Sequence, residues 1–436
     1  MSGSALEVGV DAVDGAAVGA PPAGSGVRSR FAAEGGISMA WGLAVYGTSL
    51  LTGPMLARAL GPEGRGELAS VVAPAQVLVF VLGFGVPAAC AYFAHQHRRA
   101  TLVGASIATS LVLAAPLAYV LWRAAPTYLA DRDPMTVTAL RLLAVQALVT
   151  IVAQSTNEHR RAVHGAGATY NLLRSLAILL NAAAVTVLFV TGNLGLATAL
   201  TAVVATAVVA DVATLLVARL ERPVLRPRVV GQVWSFGLRS WVGTVSNAMS
   251  GRLDQVLLVG MASSAQLGRY AVAVSAANVT IPIGQGAASA VLPHLRRGGL
   301  QSWRELVRAV LVVGGIATGV SLAVGALAPI VLPLLFGEGF RGALVPLLLL
   351  LPGQVAGAMA EVFRADLGSR GHPGQASLCQ GIAAAVTVVL IVPAVNRHDI
   401  AGAACVTTIA YVAMLASAAV LARRTRRQEE VGAGVR

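Results

Sequence analysis

The chain has 436 residues, of which 56% are hydrophobic and 12% charged, and its mean hydropathy is +0.75. A soluble domain carries about 25% charged residues, so this composition excludes an ordinary soluble globular protein and points to a membrane. The net charge of +13 does not indicate nucleic-acid binding, because the basic residues lie in short clusters between apolar runs.

All 32 basic residues are arginine. Arginine's planar fork suits phosphate better than lysine's point charge, but a bias over the whole chain marks no site. Cys90, Cys379 and Cys405 fall in apolar stretches without ligand spacing, so neither a disulfide nor a metal site is expected. No glycine-rich nucleotide loop is present, so no cofactor and no ATPase activity are expected.

Residues 1–27 are rich in Gly, Ala, Ser and Pro, a composition that buries too little apolar surface to order itself. They lack the basic start and short apolar core of a signal peptide, and residues 1–30 are expected to form a disordered cytoplasmic tail. Twelve apolar stretches of about 18–29 residues follow. Each is long enough for a helix to cross a hydrocarbon core of roughly 30 Å. The first six are expected at 36–59, 68–94, 101–122, 135–155, 170–191 and 194–217. The second six are expected at 235–261, 267–292, 307–335, 344–362, 375–392 and 401–421. Pro54, Pro74, Pro87, Pro116, Pro282 and Pro329 lie inside them, as kinks that a membrane bundle tolerates. The fold class is therefore all-α polytopic membrane protein, with about twelve transmembrane helices. A short basic tail is expected to close the chain at 426–436.

Arginine counts give an orientation. One alternate set of loops, together with both tails, holds 21 arginines; the other set holds 7, among them Arg58, Arg65 and Arg132; four lie inside spans. The positive-inside rule puts both termini in the cytoplasm, as an even number of spans requires. An internal repeat is also legible. Sliding the chain by 202 residues superposes Gly66-Glu67-Leu68-Ala69 on Gly268-Arg269-Tyr270-Ala271. Both are short outer turns that lead through glycine into an apolar helix, as in parallel six-helix repeats.

The segment LARALGPEGRGELA at 56–69 resembles the N-terminal signature of polysaccharide flippases, members of the multidrug/oligosaccharidyl-lipid/polysaccharide exporter superfamily. Gly61, Pro62, Gly64 and Gly66 carry the match, with Leu68 where an aromatic is common. In the second half SFGLRSW at 235–241, RLDQVLLVG at 252–260 and LGRYAVA at 267–273 are similar to the family's pattern through Asp254, Gly268 and Tyr270. The proline that commonly follows the first of these motifs is absent. The resemblance implies two six-helix lobes around a central cavity, at 31–220 and 221–425, and transport by alternating access. Twelve spans are similar to the sugar-lipid branch, since the peptidoglycan-precursor branch typically adds two helices.

Charges inside spans are costly, at least about 2.5–3.5 kcal/mol each near the centre, so they should face a cavity or pair. Arg174 and Arg239 enter one turn from the cytoplasmic end. They either snorkel to the interface or meet the pyrophosphate of a lipid carrier, whose oxygens suit arginine's fork. Asp211 is expected level with them, as an ion-pair partner for one or as a coupling acid. Arg141 and Arg252 lie toward the outer side with Asp254, and Arg141 with Asp254 is the expected pair. Asp254 is also the acid best suited to proton or sodium coupling. The expected cavity residues are thus Arg141, Arg174, Arg239 and Arg252, with Asp254 and Asp211 as coupling or structural acids.

The expected function is translocation of a polyprenyl-pyrophosphate-linked oligosaccharide across a bacterial cytoplasmic membrane for cell-surface polysaccharide synthesis. Expected partners are that lipid-linked oligosaccharide, membrane lipids, a polysaccharide polymerase and glycosyltransferases. Nucleic acid is not among them, and a monomer suffices. The alternatives are a cation-coupled exporter of amphipathic small molecules and a peptidoglycan lipid-precursor flippase. A membrane glycosyltransferase is disfavoured because the longest outer loop, 123–134, is too short to hold a catalytic domain.

Overall fold

The computed structural model describes residues 25–219, 222–280 and 303–434, with the backbone path alone for 25–40 and 430–434. Every regular element among them is helical. In chain order these are α1 (Ser25–Leu82), α2 (Val86–Tyr92), α3 (Arg99–Thr109), α4 (Ala115–Tyr128), α5 (Pro134–His164) and α6 (Ala168–Val190). There follow α7 (Leu196–Val217), α8 (Pro227–Leu258), α9 (Ser264–Ala277), α10 (Trp303–Phe336), α11 (Leu344–Ser369) and α12 (Pro373–Gly434). Eight helical segments among the described residues are long and apolar enough to cross a membrane. The chain is a multi-pass membrane protein. The part of the eighth expected span beyond residue 280, with Pro282, Arg296 and Arg297, lies outside the described residues.

Several expected boundaries move for identifiable reasons. The first two spans form one helix, α1, bent at Gly61 (φ 65°, ψ −177°). A left-handed φ there suits glycine, and Pro62 restarts the helix without needing an N–H. Arg65, expected in an outer loop, therefore sits on a helix. The second span breaks not at Pro87 but just before it, where Phe84 (φ 45°) and Gly85 (φ 68°) turn the chain and Pro87 opens α2. A π-turn at Ser110–Ala114 joins α3 to α4 ahead of Pro116. The last two spans likewise merge as α12, bent at His398 and Asp399.

Helix starts follow local chemistry. Asp133 caps α5 by accepting the Met135 N–H at 2.8 Å, with Pro134 in the first turn. Ser263 and Gln266 form a reciprocal capping box at α9. Residues 1–24 of the expected N-terminal tail and 435–436 of the C-terminal one lie outside the described residues. Helix begins at Ser25, inside the stretch expected to be disordered, and α12 stays helical to Gly434 with Arg426 buried.

The largest core gathers residues of α1, α4, α5, α9, α10, α11 and α12 at the end of the bundle where arginines are few. Here α1 crosses α9 in near backbone contact. A Cβ on Gly66 would lie 1.7 Å from the Ser264 carbonyl oxygen, and one on Gly268 would lie 1.9 Å from that of Pro62. Gly66 with Gly268 and Pro62 with Ser264 are each 202 residues apart. The two copies of the repeat thus meet each other through equivalent residues, as a local two-fold relation requires.

Candidate functional site

Asp211 and Asp254, the two acids the sequence places inside spans, are both buried. Asp211 on α7 faces α5, where Gln146 and Thr150 lie four residues apart on one side of the helix. Gln146 Nε2 donates to Asp211 Oδ2 at 2.6 Å and Thr150 Oγ1 donates to it at 2.7 Å. Asp254 on α8 is 7% exposed. The hydroxyl of fully buried Tyr270 on α9 donates to its Oδ2 at 2.5 Å, and Thr407 Oγ1 on α12 at 3.1 Å. Its Oδ1 accepts the Gln255 N–H at 2.8 Å. Each acid is held by neutral donors, which offset part of the cost of burial.

The expected ion pairs do not form in this state. Arg141 donates from Nε to the Trp122 carbonyl at 3.2 Å and lies 5.3 Å from the centre of the Trp122 ring, a cation–π contact within its own half. It does not reach Asp254. Asp211 meets neither Arg174 nor Arg239, and both arginines are exposed. Of the four expected cavity arginines Arg252, half-buried, shares its electrostatic neighbourhood with the Asp254 carboxylate and with a second, half-buried guanidinium. That guanidinium belongs to Arg65, whose Nε is buried without a hydrogen-bond partner and whose charge is close enough to feel Arg252. Arg65 comes from α1 in the first half and Arg252 from α8 in the second. Loop counting hid Arg65; its position next to Gly66, in a helix rather than a turn, could have located it.

Above this pair the arginine-poor end is locked. Buried Arg132, just before α5, donates from Nη2 to the Val259 and Ala262 carbonyls at 2.8 and 2.7 Å and from Nη1 to Ser264 Oγ at 2.5 Å. Glu67 accepts from Ser264 Oγ and lies 3.9 Å from Arg132. Tyr128 donates to the Val256 carbonyl at 2.7 Å. Neither Glu67 nor Arg132 was expected to be functional. At the arginine-rich end a second glycine crossing closes α2 onto α8: a Cβ on Gly85 would lie 2.1 Å from the Gly237 carbonyl oxygen. Phe84 stacks on Trp241 at 5.4 Å there, and Trp241 Nε1 donates to the Val81 carbonyl at 2.9 Å.

Solved structures share this fold. An inward-facing multidrug resistance MATE family transporter of the MOP superfamily superposes with a TM-score of 0.69 at 16% identity, covering 88% of this chain and 94% of the other. The lipid II flippase MurJ in an inward closed conformation gives 0.74 at 9% identity, covering 87% and 86%. An outward-facing MATE family transporter gives 0.56 at 18% identity, covering 91% and 94%. These are transporters and a flippase, not catalytic enzymes. No curated protein matches the chain. The family model for polysaccharide biosynthesis proteins matches residues 31–298, more than half of the sequence. With its helical transporter fold and its repeat-built crossing, the chain belongs to the polysaccharide biosynthesis protein family.

Proposed function

We propose that the protein flips a polyprenyl-pyrophosphate-linked oligosaccharide across the cytoplasmic membrane of a bacterium, as a monomer with both termini in the cytoplasm. The observation that supports this reading is the buried Arg65 Nε of the first half, without a hydrogen-bond partner, with Arg252 of the second half in its electrostatic neighbourhood. Two guanidiniums held together repel each other and favour a multivalent anion that can bridge them; a pyrophosphate offers oxygens in the spacing that arginine forks accept. Residues 31–220 and 221–425 act as two lobes. They open alternately at the Gly66–Gly268 crossing and at the Gly85–Gly237 crossing.

In this scheme Arg174 and Arg239 receive the headgroup at the cytoplasmic surface, and Arg141 contacts the glycan near the outer end. Asp254 and Asp211 are the acids available for coupling to a cation. A polymerase and glycosyltransferases supply the surrounding pathway. The test is the distribution of lipid-linked glycan between leaflets in cells with and without the gene. Accumulation of a polyprenyl-pyrophosphate glycan on the cytoplasmic face supports the reading, and the trapped glycan names the cargo. An unchanged distribution with greater sensitivity to cationic drugs would sink it. That second outcome is the one expected of a cation-coupled exporter, which buried Asp254 and Asp211 favour.

A further inference from the structure

We propose that the end of α12 is a binding surface for the headgroups of anionic bilayer lipids. The residues past the last apolar turn do not trail off. Asp366 on α11, fully buried, accepts from Arg426 Nε at 2.9 Å and Arg426 Nη2 at 2.7 Å, and from Arg370 Nε at 3.0 Å. Arg370 also pairs with Glu429, and Thr425 Oγ1 donates to Gln375 Oε1 at 3.0 Å. These contacts pin one side of the helix, carrying Ala422, Thr425, Arg426 and Glu429, against α11 and the start of α12. At 100° per residue, Arg423, Arg424 and Arg427 fall on the opposite side, and all three are exposed.

Register identifies what that side faces. Ile409, Val412 and Val420 are about half exposed on the same helix. With Ala416 they form a stripe at helical spacing, 409–412–416–420, that continues directly into 423 and 427. An exposed apolar stripe on a membrane helix faces acyl chains. The arginines therefore stand where the stripe leaves the hydrocarbon, at headgroup depth. The ion-pair clamp fixes the helix, so little ordering cost opposes binding. Three guanidiniums on a lipid-facing interface match phosphate-bearing anionic lipids in charge and geometry. This inference rests on burial and register alone, and it stands or falls independently of the flippase reading.

The test uses the full-length protein in vesicles, with an environment-sensitive fluorophore on Gln428→Cys in a Cys405→Ala background. Phosphatidylglycerol or phosphatidylcholine, each carrying a headgroup quencher, is titrated in. At low salt the unmodified arginine face should favour phosphatidylglycerol by about tenfold or more, from the attraction each basic residue adds near an anionic surface. R423Q/R424Q/R427Q should abolish that preference, and so should raising the salt to about 0.5 M, which shortens electrostatic reach. Equal quenching by the two lipids at low salt, or a preference that survives the triple substitution, would overturn the proposal. If the triple variant fails to fold, the salt titration on the parent protein still decides.

Discussion

At the scale of single residues, Arg65 and Asp254 are held in opposite ways. Arg65 and Arg252 gain nothing from each other, and the Arg65 Nε has no protein acceptor. Replacing Arg65 by glutamine relieves that repulsion in the empty protein and, on the flippase reading, removes half of the proposed anion site. Arg65→Gln should therefore keep or raise thermal stability and, on the flippase reading, lower flipping at least tenfold. The check is a melting curve beside a leaflet-resolved glycan assay. Reduced stability with normal flipping would assign Arg65 to the scaffold. Asp254 behaves differently because three donors aim at it. Asp254→Asn leaves its size unchanged but sets an amide N–H₂ against hydroxyls, and a mismatched buried hydrogen bond costs about 1–3 kcal/mol. If Asp254 also carries the coupling cation, transport falls by more than the lost stability accounts for, and Tyr270→Phe, which removes one donor but leaves the carboxylate, keeps part of it. Equal transport by the two variants would mark Asp254 as structural. The sequence made Asp254 conspicuous because a charge in an apolar run is rare. It could not reveal Tyr270 and Thr407 as the partners, which are brought in by α9 and α12 from 16 and 153 positions away.

At the scale of elements, the apolar period was enough to find the helices, since a membrane leaves each span no other way to satisfy its backbone. Boundaries were harder. Proline attracted attention at position 87, yet the chain turns at Phe84 and Gly85, and Gly61 bends α1 without ending it. A left-handed φ at glycine leaves no mark in hydropathy. The end of α12 is opaque for a similar reason: a run of arginines past the last apolar turn does not show which of them meets a buried acid, here Asp366. Stability should follow from that pair. Arg426→Ala leaves Asp366 buried with Arg370 as its remaining cation, and breaking a buried ion pair costs about 3–5 kcal/mol. The melting temperature should fall by several degrees, since about 2–4 °C accompany each kcal/mol in chains of 150–250 residues and a longer chain shifts less. Asp366→Asn together with Arg426→Gln should recover part of the loss, because the cost arises from the uncompensated charge. No recovery would show that packing of the helix, rather than charge, holds it.

At the scale of the whole molecule, the sequence repeat becomes a mechanical statement. At one crossing Gly66 meets Ser264 and Gly268 meets Pro62, contacts that the 202-residue repeat exchanges. Such a contact separates symmetrically when the halves rotate apart, and it cannot tolerate a side chain on either glycine. Arg132 reinforces it across the halves through two carbonyls and Ser264, with Glu67 beside it. Among the described residues, the arginine-poor end is thus held by backbone proximity and by one buried cation, and the arginine-rich end by α2 on α8 through Gly85 and Gly237. Weakening one closure should populate the state open at that end. Gly66→Val would force α1 and α9 apart, and Arg132→Ala would empty the carbonyl cage. Overpacking a fitted contact costs about 1–3 kcal/mol, and 1.4 kcal/mol is a tenfold change in population. Spin labels on Thr127→Cys and Ser263→Cys report the gap at this end by distance measurement. The parent should give one short, narrow distribution, and each variant should add a longer component at roughly ten times its former weight. Gly85→Val at the opposite crossing should leave the Thr127–Ser263 distance short while opening its own end. If Gly66→Val and Gly85→Val lengthen the same distance alike, the two crossings are not separate gates, and alternating access through them is wrong.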